Sequence, residues 1–109
     1  MAEQSLPARV LAMCKQRNWS LSWWARGCYL HLEASELIEA IRGKHGDPTE
    51  EAADVLLVLM SITEANGIPW DSVLHRMQYK LDRLESTGPY PGEERSDMTY
   101  TEPLERKTQ

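Results

Sequence analysis

Apolar residues recur at helical spacing in four stretches of this chain, and no segment alternates apolar and polar residues as a half-buried strand would. In the first stretch Leu6, Val10, Leu11 and Cys14 share one side, while Arg9, Lys15 and Gln16 turn away. Pro7 suits an opening turn, so a helix is expected from near Ser5 to about Asn18. Residues 18–27 hold Trp19, Trp23 and Trp24 among serines and fit either a loop or the start of the next helix. Over residues 27–42 the period is plain again: Leu30, Leu37, Ile38 and Ile41 recur on one side, and Gly43 stands where a C-terminal glycine belongs. The third stretch has the best-marked ends. Asp47 can cap, Pro48 fits the first helical position, and Glu50 follows three residues after the cap. Its run through Val55, Leu56, Leu57, Val58, Leu59, Met60 and Ile62 is apolar nearly all round, which places it mid-bundle or at a subunit interface. Asn66-Gly67-Ile68-Pro69 closes it. A fourth helix over about residues 70–85 carries Val73, Leu74, Met77, Leu81 and Leu84 as its stripe.

The expectation is an all-α, four-helix bundle-like domain over residues 1–88. Residues 89–109 follow as a polar C-terminal tail, extended or disordered, or ordering on a partner subunit. From Ser86 onward the chain is polar and holds three of its six prolines.

Composition adds limits. A chain of 109 residues supports one thin core, and small helical domains gain buried area by pairing with copies of themselves. A homodimer or dimer of dimers is therefore expected. The net charge of -5 disfavours a nucleic-acid polymer as partner and suits a protein that gathers cations. The longest apolar run is too short for a membrane span, and MAEQSLPARV lacks the basic and apolar regions of a signal peptide. The reading is a soluble, cytoplasmic protein. Cys14 and Cys28 lack metal-ligand spacing and read as reduced, partly buried thiols.

The chemistry lies in the acids. Glu33/Glu36 and Glu51/Asp54 are i, i+3 pairs, so each pair shares a helical face. The linker between the second and third helices, about residues 43–47, is short, and short connections make neighbours antiparallel. The two pairs can then lie side by side. Glu33 and Glu36 sit among Leu30, Leu32 and Leu37, and Asp54 adjoins Val55, so these acids border the core. Unpaired charge there is costly and asks for Lys or Arg, protonation or a divalent cation. All-oxygen ligands suit Mg²⁺ or Mn²⁺ rather than zinc. Spacing alone leaves a solvated acidic face and a cation site both open.

The segments HLEASELIEAI and EEAADVLLVLMSITEANGI resemble the paired motif of the all-α nucleoside triphosphate pyrophosphohydrolases, the superfamily of MazG-like proteins, dCTP pyrophosphatases and dimeric dUTPases. Its pattern is Glu-x-x-Glu, a short linker, then Glu-x-x-Asp. It falls on Glu33, Glu36, Glu51 and Asp54, and the similarity spans about residues 15–85. Many members open with a double Glu and carry a Gly before the second Glu, where this chain has Leu32-Glu33-Ala34-Ser35-Glu36. Ahead of the motif, Asn18-Trp19 and Arg26 agree with the dCTP-hydrolysing members, but Trp23-Trp24 stands where a His is expected. The resemblance implies a MazG-type fold with its active site between the second and third helices. It also implies cleavage of a nucleoside triphosphate to a monophosphate and pyrophosphate. Mg²⁺ on the four carboxylates would neutralise phosphate oxygens and acidify water, with Glu36 orienting or deprotonating that water.

Other residues carry two readings each. Lys80 and Arg83, at i, i+3 on the fourth helix, fit phosphate contacts or a solvated basic face. Trp19 fits base stacking or packing. His31, His45 and His75 read as structural or surface residues, and Asn66 as a helix end. The competing class is a helical homodimeric partner-binding or regulatory protein without catalysis, with the apolar third helix as its interface.

Overall fold

A computed structural model describes residues 4–87 and Pro103. Among them are four α-helices and no strand. They are α1 (Leu6–Gln16), α2 (Trp23–Ile41), α3 (Pro48–Ala65) and α4 (Trp70–Ser86). The chain divides into two compact units, Met1–His75 and Arg76–Gln109, so α4 begins in the first and continues into the second. The expected boundary at residue 88 and the tail at residues 89–109 lie outside the described residues, Pro103 apart. No single described helix is long and apolar enough to cross a membrane.

Each helix start has a local cause. The Ser5 hydroxyl accepts from the Ala8 N–H at 3.3 Å, and Pro7 occupies the first turn of α1. The Asp47 carboxylate accepts from the Glu50 N–H at 3.1 Å, with Pro48 next. Of the two readings open for residues 18–27, the start of the next helix holds from Trp23 onward. The Ser22 hydroxyl accepts from the Ala25 N–H at 3.2 Å, so the helix opens at Trp23 and takes in Trp24 and Arg26. An N-cap serine outweighs the mediocre helix propensity of two tryptophans. Helix ends use left-handed residues: Gly43 (φ 76) after α2 and Gly67 (φ 69) after α3.

In the first unit α3 packs against both α1 and α2. Val10 and Cys14 of α1 and Met60 of α3 form the buried cluster, with Met13, Leu21, Leu57 and Trp70 packed around it. The buried hydroxyls of Ser61 and Thr63 donate back to the Val58 and Met60 carbonyls at 2.6 and 3.1 Å, so α3 buries no idle donor there. The core is as thin as the length implies. Ile38 and Ile41 of the expected α2 stripe are about half exposed, and so are Leu6 and Leu56. Cys14 is fully buried while Cys28 is exposed, so the partly buried pair of thiols divides into one of each kind. On α4, Leu74, Met77, Leu81 and Leu84 are all exposed.

Candidate active site

Helix α2 brings Glu33 and Glu36 round on one face, and α3 contributes Glu51 from its first turn. One carboxylate oxygen from each of the three lies within 4.8 Å of the others. The turn between the helices makes this approach possible. Gly46 has φ 86, and a Cβ built on it would stand 3.1 Å from Glu51 Oε1. A glycine lets the backbone pass close to the carboxylate and adopts the left-handed conformation without penalty. Asp54, one turn on, is exposed and stands outside this trio. Its charge still acts on both Glu33 and Glu51, and with Glu33 it lines the adjoining cavity.

The electrostatics are those of acids pressed together. Glu33 is half buried, and its carboxyl is pushed above the ordinary range by burial first and then by the charge of Glu36, with Asp54 and Glu51 adding to it. Glu51 is raised likewise, by desolvation first and then by Glu36 and Asp54, while His45 pulls it the other way. Glu36 is thus the leading charged neighbour of both, and its carboxylate shares their cluster. One oxygen of Glu33 and one of Glu51, both Oε2, are shut off from solvent with no hydrogen-bond partner. Among the described residues no Lys, Arg or His side chain forms an ion pair with the trio; the ion pair found is Arg42–Glu39, at 3.3 Å on the surface. Protonation and a cation are both open to acids so placed.

A cavity of about 560 Å³ runs from these carboxylates along α2. Glu33 and Asp54 line one part, Met13, Leu57 and Val58 its apolar part, and Arg17, Trp19, Arg26 and Tyr29 the rest. Trp19, 41% exposed, is the sequence-flagged tryptophan that reaches this cavity. Trp23 and Trp24 stand out in solvent, and Trp70 packs on the core. Arg26 is the residue that sequence reasoning undervalued. It is 4% exposed, its guanidinium lies over the Trp19 ring at 5.5 Å and over the Tyr29 ring at 4.7 Å, and its Nε has no partner. Arg17 covers Trp19 at 5.8 Å. Lys80 and Arg83 are exposed on the part of α4 in the second unit, and the Arg83 guanidinium donates to the Tyr79 hydroxyl at 3.5 Å. Asn66 caps α3 and donates to the Ile62 carbonyl at 2.8 Å, a structural use.

Compared with protein-family models, with curated proteins and with solved structures, the chain matches none.

Proposed function

We propose that this chain is an Mg²⁺-dependent nucleoside triphosphate pyrophosphohydrolase of the MazG-like kind, cleaving a (d)NTP to the (d)NMP and pyrophosphate in nucleotide-pool housecleaning. One observation carries the reading. Three glutamates from two helices converge within 4.8 Å, with stranded oxygens and no ion-paired base among the described residues, beside a cavity walled by aromatic rings and guanidinium groups. Hard carboxylate oxygens in that number fit Mg²⁺, with Mn²⁺ as substitute. When bound, the ion supplies charge neutralisation to the phosphates and acidity to water.

The chain's own residues divide the remaining work. Glu33 and Glu51 hold the cation through the oxygens that lack other partners. Glu36, in the same cluster, orients the attacking water and takes its proton. Asp54 completes the set from the exposed edge, and Trp19 offers a ring face to the base. The test is a pyrophosphate-release screen over canonical and modified NTPs and dNTPs, with Mg²⁺ and then with EDTA. Release from at least one nucleotide that stops on chelation is the expected result. No release from any of them with Mg²⁺ present ends the hydrolase reading.

The exposed row Leu74, Met77, Leu81 and Leu84 favours self-association, and it is also what a helical partner-binding protein without catalysis would present. Melting curves separate the two readings. A hydrolase of this kind gains stability from Mg²⁺, whereas a binding protein is indifferent to it.

A further inference from the structure

The part of the cavity beyond the carboxylates holds a charge that the hydrolase reading leaves unused. Arg26 is 4% exposed and has no carboxylate at ion-pairing distance among the described residues. Burying a guanidinium costs several kcal/mol unless something polar faces it, on the order of the penalty for any unpaired buried ion. Its guanidinium carbon lies over the Trp19 and Tyr29 rings, 5.5 and 4.7 Å from their centroids, and these contacts offset part of that cost. Ring contacts leave the N–H donors unsatisfied. The guanidinium edge carries N–H donors in one plane, and Nε–H is without an acceptor while the side chain lines an open cavity. The complement of such an edge is a pair of adjacent in-plane acceptors.

The position of Arg26 along α2 says which part of a nucleotide would meet it. Arg26, Tyr29 and Glu33 line the same cavity, and Glu33 is seven residues beyond Arg26, about 10 Å along the axis at 1.5 Å per residue. Phosphates that share a cation with Glu33, Glu36 and Glu51 occupy the near end. The sugar then spans the middle, and the base reaches Arg26 and Trp19. Resting on the pyrophosphohydrolase reading, we infer that Arg26 is a specificity-determining residue whose buried guanidinium edge selects nucleobases presenting two adjacent acceptors, guanine through O6 and N7 or cytosine through O2 and N3. Uracil places an N–H between its carbonyls, and adenine sets an amino group beside N7 and N1. Neither offers the matching pair.

Calorimetric titration of GMP, CMP, AMP and UMP into the full chain with Mg²⁺ tests this without turnover. Wild type is expected to bind GMP or CMP about tenfold or more tightly than both AMP and UMP, as a bidentate arginine contact discriminates. Arg26→Lys keeps the charge but loses the fork, and it should flatten the ranking. Removing an acceptor from the ligand avoids any question of folding: 7-deaza-GMP or 3-deaza-CMP should fall to the level of AMP on wild type. Glu36→Gln should keep the ranking even with turnover gone, so loss of the hydrolase reading and loss of this one are separately visible. Equal affinity for all four monophosphates, or no binding of any, overturns the inference. So does an Arg26→Lys variant that weakens all four and pyrophosphate by the same factor, since Arg26 would then be a phosphate contact.

Discussion

The two ends of the cavity are built on opposite electrostatic plans from one helix. At the Glu33 end, like charges are gathered and left short of partners, so that Glu33 and Glu51 hold their protons above the ordinary range. At the Arg26 end a positive charge is buried against two aromatic rings. Both ends carry stranded polar atoms: Oε2 of Glu33 and Glu51 at one, Nε of Arg26 at the other. A molecule that satisfies both needs a cation-bearing anionic part and an acceptor-bearing part about 10 Å away, the geometry α2 imposes at 1.5 Å per residue. The proposed nucleotide meets both demands, whereas a solvated acidic face makes none at its far end.

The sharpest way to break the comparison is to disable one end and watch the other. Glu36→Gln removes the charge that acts on Glu33 and Glu51 and the group assigned to the water. Pyrophosphate release should fall by about 100-fold or more, the usual scale for loss of a general base. The metal-free protein should melt higher near neutral pH, because the largest repulsion on each neighbour is gone. A variant that loses activity through misfolding would melt lower. Near-normal turnover in Glu36→Gln would remove this residue from the chemistry.

At the opposite end, Trp19→Leu keeps an apolar wall but deletes the ring. Base stacking is worth about 1–3 kcal/mol per base, so monophosphates should bind about tenfold more weakly. All four bases should suffer alike, because every base has a π-face. Mg²⁺ binding to the carboxylates, followed by melting with and without the ion, should be unchanged. A shift in Mg²⁺ response would mean that the two ends are coupled.

The ends also differ in how far they could be read from the chain. The carboxylate trio follows from two i, i+3 pairs and a short linker, and both helix boundaries around that linker are marked by Gly43, Asp47 and Pro48. Asp54 matches the motif but is left at the exposed edge, a matter of rotation about α3 that spacing does not resolve. Arg26 lies in the stretch that fits either a loop or a helix start, and cations default to the surface. The Ser22 cap sets the start at Trp23. Once Arg26 is helical, its spacing of three to Tyr29 and seven to Glu33 puts all three on one face. The signal was a serine before two tryptophans. On Ile38, Ile41 and α4 the pattern marked apolar sides correctly but could not say whether anything in this chain covers them, since periodicity reports a face and not its neighbour.

Protons and cations should compete at the carboxylate end alone. The raised carboxyls of Glu33 and Glu51 bind protons more tightly in the folded than in the unfolded chain, where the ordinary value is near 4.5. Below that pH both states are protonated and the acids cost nothing. As pH rises through the folded values, the native state is left with crowded negative charge and this contribution turns against it. Mg²⁺ reverses the penalty only once the protons are off. Its stabilisation should therefore be small at about pH 5 and larger at about pH 7.5, reaching about 2.7 kcal/mol at a hundredfold excess over Kd. Melting at both pH values, with and without Mg²⁺, checks this. An equal gain at the two would mean that the ion binds elsewhere.

The smallest effect separates geometry from charge. Gly43 and Gly46 both have positive φ, 76 and 86, so alanine at either carries a left-handed penalty of about 1–2 kcal/mol. Around Gly43 a new Cβ meets nothing within 4 Å, but at Gly46 it stands 3.1 Å from Glu51 Oε1. Backbone strain is thus shared by the two variants, and crowding of the carboxylate belongs to one. Both should melt lower, by about 4–8 °C for each kcal/mol in a domain of this size. Only Gly46→Ala should also weaken Mg²⁺ stabilisation, because Glu51 must swing away from Glu36 to clear the methyl group. Neither should alter which monophosphate binds best, since the base is proposed to meet Arg26, seven residues along α2 from Glu33, and not the turn at Gly46. Equal Mg²⁺ responses in the two variants would show that Glu51 has room to adjust, and that the tight turn at Gly46 serves the chain reversal rather than the placement of a ligand oxygen.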